Sequence, residues 1–247
     1  MTSIPEVEPT RSPAPAPRAS VWEDFADIFF APSSVFERRR DGGFAVAFIV
    51  LTIVIGALTW AWMGAMEPAF MEQFNRSLDQ VRAQQPGLTE DQIAGMRGMM
   101  LTVGKAMAVF TVPLIVLLTG FGIWLIGKLF DSSASFKTAL MIGTFAQFPR
   151  VLKLVVELVQ TRIVDPASLD SLYAVTLSPA RFLGPDASMV AQGIAGRFDV
   201  FIIWMTVLIG IGVYVAGRTS KRNAALVAIL VWLIAGLLAV GSSARGA

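Results

Sequence analysis

The sequence predicts an all-α integral membrane protein: a bundle of about five transmembrane helices, preceded by a short amphipathic helix and carrying helical extracytoplasmic loops. Three observations point there. The 247 residues are 55% hydrophobic and only 15% charged, where a soluble domain carries about 25% charged residues, and the mean hydropathy is +0.64. Uncharged apolar runs approach the roughly 20 residues that a bilayer core requires. Lys and Arg gather in the short connections between those runs.

The composition also excludes a good deal. Twenty Lys and Arg against eighteen Asp and Glu leave +2, which provides no concentrated basic surface for nucleic acid. With neither Cys nor His, the chain has no disulfide, thiolate zinc site, Cys nucleophile, His general base or imidazole-held cofactor. No catalytic, cofactor-binding or metal residue is assigned, and the expectation is a non-enzymatic protein without a cofactor.

Residues 1–19 are rich in Pro and Ala and hold only Met1, Ile4 and Val7 as large aliphatic side chains. Such a stretch buries too little apolar surface to offset its ordering entropy and is expected to be a disordered cytoplasmic tail. It lacks the apolar core and cleavage site of a signal peptide. Residues 20–43 form an amphipathic helix and a basic juxtamembrane segment. Ser20 can cap a helix in which Trp22, Phe25, Ile28 and Phe29 recur at three- and four-residue steps, with Glu23, Asp24 and Asp27 opposite. Two placements compete: in the membrane interface, favoured by the Trp, the Phe residues and Arg38-Arg39-Arg40, or packed on the cytoplasmic mouth of the bundle.

Residues 44–241 form the transmembrane domain, with spans expected at 44–63, 106–126, 139–160, 201–217 and 224–240. The third is unusual, because Gln147, Pro149, Arg150, Lys153 and Glu157 follow its apolar first half. Basic residues precede span one, flank the second connection at Lys128 and Lys137, and fill the turn at Arg218, Lys221 and Arg222. All three places fall on one side if five segments cross, which puts the amino terminus inside and the carboxyl terminus outside. The two long connections carry slightly more acid than base, with three Arg against five acids in 67–100 and three Arg against four Asp in 161–199. The first places Phe70, Phe74, Leu78 and Val81 on one face until Pro86-Gly87. Thr89 and Gln92 then form a capping box for a second helix that runs on into span two. In the second, Asp165-Pro166, Ser178-Pro179 and Gly184-Pro185 punctuate one short helix and another that leads into span four.

At 100° per residue, Gln147, Arg150, Lys153 and Glu157 share an arc of roughly 120° on the third segment. Ionisable groups inside a span cost about 2.5–3.5 kcal/mol each on insertion scales, so they turn inward and are candidates for function. Arg150 would anchor an ion or anionic substrate and Glu157 would titrate. Against this stands a structural reading: Lys153 and Glu157 pair four residues apart, while Arg150 reaches backbone carbonyls freed at Pro149 or snorkels to headgroups. No second intramembrane acid is apparent. Pro113 and Pro149 each remove a backbone donor and are candidate kinks or hinges. Gly120, Gly122, Gly127, Gly210, Gly212 and Gly217 permit close helix contacts, within the chain or between copies. The run Met96, Met99, Met100 and Met107 suggests copper ligation, but no His or Cys supports it, and flexible Met is common filler at helix interfaces.

The arrangement resembles the bacterial branch of the Yip1 family. The features that carry this are Trp22-x-x-Phe25-x-x-Ile28-Phe29-x-x-Pro32-x-x-x-Phe36 before span one, and Phe130-Asp131-Ser132-Ser133-Ala134-Ser135-Phe136 leading into Gly143-Thr144-Phe145-Ala146-Gln147-Phe148-Pro149. The resemblance covers roughly residues 20–241 and implies an all-helical membrane domain without known enzymatic activity. Eukaryotic members associate with Rab-type GTPases and with each other. This chain lacks their Asp-Leu-Tyr-Gly-Pro motif, so the resemblance does not extend a GTPase partner to it. It implies a bacterial cytoplasmic membrane, the lipid bilayer and membrane-protein partners or self-association, and a scaffold or interaction role in membrane organisation or trafficking-like processes. The alternative is a small transporter or channel that uses the polar face of the third span.

Overall fold

A computed structural model describes residues 20–245 apart from 42, 86, 165–168, 170 and 185–186. The tail expected over 1–19, the Asp165-Pro166 turn, Pro86 and Pro185 lie outside the described residues. Among those described, the regular structure is all helical, and the chain is an all-α membrane protein. Its elements are α1 (Val21–Phe30), α2 (Pro32–Arg38), α3 (Ala45–Ala65), α4 (Glu67–Gln84), α5 (Glu90–Leu129), α6 (Phe136–Phe145), α7 (Phe148–Ile163), α8 (Met189–Gly196), α9 (Val200–Val215) and α10 (Lys221–Arg245).

Ser20 caps α1 through a reciprocal box with Glu23, which satisfies two amides that the first turn leaves open. The helix then packs against the third membrane segment and α9. Ile28 is fully buried, Phe25 meets Phe148 with ring centroids 5.0 Å apart, and Phe29 lies 5.4 Å from Trp204. The interfacial expectation took the three arginines as headgroup contacts. They are instead consumed by the acidic side of this same hairpin. Asp24 is 0% exposed and accepts from Arg38 Nη2 at 2.7 Å and Arg39 Nε at 2.5 Å. Asp27 takes Arg38 at 2.6 Å, and Glu37 takes Arg40 at 3.3 Å. The hydrogen bond to Asp27, first among several contacts, holds the Arg38 guanidinium above its ordinary range.

Four helical segments are long and apolar enough to cross a membrane: Ala45–Ala65, Phe110–Leu129, Phe136–Ile163 and Lys221–Gly241. A fifth exists only if α8 and α9, which meet at a 52° bend, count as one. The reason is length, since α9 has 16 residues and spans about 24 Å at 1.5 Å per residue, short of a core about 30 Å thick. Three hydroxyls inside these segments are satisfied locally: Thr52, Thr144 and Thr206 each donate to the carbonyl four residues back. Glycines allow close helix crossings among the described residues. A Cβ on Gly143 would stand 3.3 Å from the Val116 carbonyl oxygen and the Gly120 nitrogen, and one on Gly120 would stand 3.0 Å from Leu140 Cα. α5 and α6 therefore cross backbone to backbone.

The basic connections meet at one end of the bundle. The Gly217 carbonyl accepts from the Ser133 amide at 2.8 Å and its hydroxyl at 3.1 Å, while Thr219 and Asn223 donate to the Phe130 carbonyl at 2.8 and 3.3 Å. Arg40 Nη2 donates to the Val215 carbonyl at 3.1 Å, and Thr138 Oγ1 to the Arg40 carbonyl at 3.3 Å. The Phe130–Phe136 segment is thus a clasp on the turn after α9, made possible by left-handed backbone at Asp131 (φ 56°) and Arg218 (φ 49°).

At the other end, α5 begins at the capping box of Thr89 and Gln92 and runs 40 residues without interruption through Pro113. At 1.5 Å per residue that is about 60 Å, twice the bilayer core. Its first half, held to α4 by Arg82 with Glu90 at 3.0 Å and by Arg97 over Phe74, projects beyond the span. After α7, the described residues include a 3-10 turn at Pro179–Phe182. A second small core of Met66, Ala69, Leu169 and Val175 ties this loop to the start of α4.

Candidate functional site

The third membrane segment is two helices in one line. α6 ends at Phe145 and α7 begins at Phe148, so the backbone breaks at 146–147, just ahead of Pro149. The Gln147 amide bonds the Thr144 carbonyl at 3.0 Å and the Arg150 amide bonds the Gln147 carbonyl at 2.9 Å. These i−3 bonds tighten the backbone around Pro149, which has no amide to donate. The two halves continue as one 28-residue segment. Phe145 and Phe148 stack across the break at 5.7 Å, and Gln147 and Pro149 are buried in it.

Lys153 lies roughly 25 Å along the segment from Phe136 at 1.5 Å per residue, toward its Ile163 end. Its Nζ donates to Glu157 Oε1 at 2.5 Å and to Asp199 Oδ2 at 2.9 Å. Glu157 is 3% exposed and Asp199 1%. Asp199 is also the N-cap of α9, its Oδ1 accepting from the Phe201 amide at 2.9 Å. Arg150 acts on Glu157 through space, but among the described residues no hydrogen bond or ion pair holds its guanidinium. Of the four residues picked out on one face, the structure therefore joins Lys153 and Glu157, keeps Arg150 near them, and leaves Gln147 at the break.

Asp199 is the correction here. Sequence reading finds no second acid within a span and counts Asp199 with the outer loop. Its signal was its place immediately before an apolar run, where an Asp side chain caps a helix. With it the layer holds two cations and two carboxylates, formally balanced, as a buried charge network requires.

A roof covers this layer. Gln160 Nε2 donates to the Val175 carbonyl at 2.7 Å, and the Val200 amide to the Leu177 carbonyl at 3.3 Å. Tyr173 lies against Gly196, where a Cβ would come within 2.6 Å of its ring. Burial pushes the Tyr173 phenol above its ordinary range, with Lys153 opposing in part. Arg197, between α8 and α9, donates to the Trp232 carbonyl at 2.8 Å and stacks 5.3 Å over that indole. It pins the bend to α10.

The methionines have a different setting from the one a copper site needs. Met66 is fully buried, while Met96, Met99 and Met107 are exposed on α5. Among the described residues no group of three or more His, Cys, Asp or Glu could hold a metal ion.

Comparison with known proteins gives two matches. A family model described as the Yip1 domain matches residues 26–242. The membrane protein YknW of Bacillus subtilis (strain 168) is 25% identical over 222 residues, which cover 89% of this chain and 88% of that relative. No solved structure matches.

Proposed function

The chain belongs to the Yip1 family, and from that premise we propose that it is a non-enzymatic multi-pass scaffold that engages other membrane proteins through the projecting half of α5. Yip1-family membrane proteins are not known as enzymes. One observation carries the reading. Met96, Met99, Val103, Met107 and Phe110 are exposed, and so are Leu114, Leu117, Phe121 and Leu125. At 100° per residue all nine fall within an arc of about 80°. Phe110 and the second group lie in the Phe110–Leu129 span, where lipid covers them. The stripe continues without change of face over the Met-rich turns that precede the span, where the hydrophobic effect favours covering by protein. Flexible thioether side chains suit such a contact because they repack against different surfaces.

The basic end of the bundle faces the cytoplasm of a bacterial cell in this proposal, since Arg40, Arg218, Lys221 and Arg222 cluster there. The test is co-purification from native membranes with Met99→Glu/Val103→Glu. The scaffold reading expects loss of specific partners with unchanged thermal stability. Retention of every partner by a folded variant would refute it.

The layer of Lys153, Glu157, Asp199 and Arg150 supports a second reading, a small transporter or channel, because buried ionisable groups in membrane segments often mark a substrate path. Flux in proteoliposomes that vanishes in Glu157→Gln while the protein stays folded would support it. Flux absent from the wild type as well would remove it.

A further inference from the structure

The basic residues at the clasped end fall into two groups. Arg38, Arg39 and Arg40 each bond a carboxylate. Arg218, Lys221 and Arg222 have no carboxylate partner among the described residues, and all three are exposed. Beside Lys221 opens a groove of about 400 Å³ between α9 and α10. Its floor is made by small residues: a Cβ on Gly210 would lie 3.6 Å from the Ala228 Cβ and 4.0 Å from the Ala224 carbonyl oxygen. Val207 and Ile229 wall it, both about half exposed. Lys221 stands at its mouth, with Nζ 5.7 Å from the Tyr214 ring centroid. From Lys221 to Ile229 the groove runs about 12 Å into the apolar part of α10 at 1.5 Å per residue.

We propose that this groove binds one anionic glycerophospholipid, with the phosphate held by Lys221 and its neighbours Arg218 and Arg222 and one acyl chain lying along Gly210 and Ala228. The shape fits a chain and the mouth fits an anion at headgroup depth, the arrangement by which basic pockets between membrane helices select charged lipids. A second copy of this chain fits poorly. Neither Val200–Val215 nor Lys221–Arg245 contains an acid, so a self-complementary contact here would bring like charges together.

The experiment uses full-length protein in phosphatidylcholine vesicles doped with a phosphatidylglycerol that carries a photoactivatable group on its acyl chain. The labelled peptides are then mapped. The proposal expects labelling concentrated on residues 207–211 and 225–229, competed by unlabelled phosphatidylglycerol and not by phosphatidylcholine. Lys221→Gln should weaken competition about fivefold, the equivalent of the ~1 kcal/mol that one juxtamembrane cation contributes. Ala225→Leu, an exposed position on the rim, fills the groove without touching a charge and should also reduce labelling there. Labelling spread evenly over all lipid-facing helices would overturn the site, as would equal competition by phosphatidylcholine. Unchanged labelling in a folded Ala225→Leu protein would leave only diffuse attraction to the basic turn and equally defeat the proposal, and so would protein–protein crosslinks at these peptides in place of lipid adducts.

Discussion

The ammonium of Lys153 reaches across 46 residues of sequence to the carboxylate of Asp199 at 2.9 Å, and the same carboxylate starts α9 by accepting from the Phe201 amide. One side chain therefore both caps a membrane helix and neutralises a cation on its neighbour. Replacing Lys153 by Met leaves two buried acids facing each other without a cation between them. The expected cost is about 3–5 kcal/mol, that of removing one partner from a buried pair. Lys153→Met/Glu157→Leu/Asp199→Asn, which removes the charges and keeps a capping oxygen, should recover most of it. Thermal unfolding in detergent measures both, and a single variant as stable as the wild type would show that the layer does not hold α7 to α9.

The Asp24 carboxylate is shared by two guanidinium groups, so its loss and theirs should be unequal. Asp24→Ala strips both arginines of a partner and should cost about 1–3 kcal/mol, the range for hydrogen bonds to charged groups. Arg38→Gln should cost less, because Arg39 still reaches Asp24. Limited proteolysis at α1 reads the order, and a reversed order would contradict the clasp described.

Gly143→Ala places a methyl against the Val116 carbonyl and the Gly120 nitrogen, backbone atoms that cannot turn aside. Overpacking of this kind costs about 1–3 kcal/mol. Gly122→Ala would meet only a Val231 methyl at 3.8 Å, an ordinary contact, and should be close to neutral. Equal melting temperatures for the two variants would mean that α5 and α6 do not cross at Gly120 and Gly143.

Much of this architecture is legible in the sequence because it is local. The boxes at Ser20 and Thr89 follow from side chains three residues apart, and the 40-residue α5 follows from a cap with no later stop. The pair Lys153 and Glu157 follows from helical spacing. What sequence misses depends on distant segments. Asp24 and Arg38 lie on the two helices of one hairpin, and only their meeting turns a triplet of arginines from headgroup ligands into internal partners. Asp199 reads as a loop acid until α9 proves too short to cross alone and draws its cap down to the level of Lys153. Arg197 reads as a loop cation, yet it lies on Trp232.

Tyr173 provides a pH test. Burial raises its phenol above the unfolded value of 10.0, so the folded state keeps the proton longer than the unfolded one. The associated stability is fully present below pH 10 and is lost as pH rises through the folded pKa. Alkaline titration of phenolate absorbance should show a late component that disappears in Tyr173→Phe. A titration curve unchanged in position and shape, apart from one fewer tyrosine of ordinary pKa, would contradict the burial beneath Gly196.

The central claim is that the exposed stripe on the projecting half of α5 meets protein while its continuation in the span meets lipid. The most direct measurement places a photoreactive amino acid at Met99 and, separately, at Leu117, in protein expressed at its native level, and identifies what each traps in the intact membrane. The account predicts a small reproducible set of proteins, or a second copy of the chain, at Met99 and predominantly lipid at Leu117. Lipid alone at both positions would contradict it and move attention to flux through the layer of Lys153, Glu157 and Asp199.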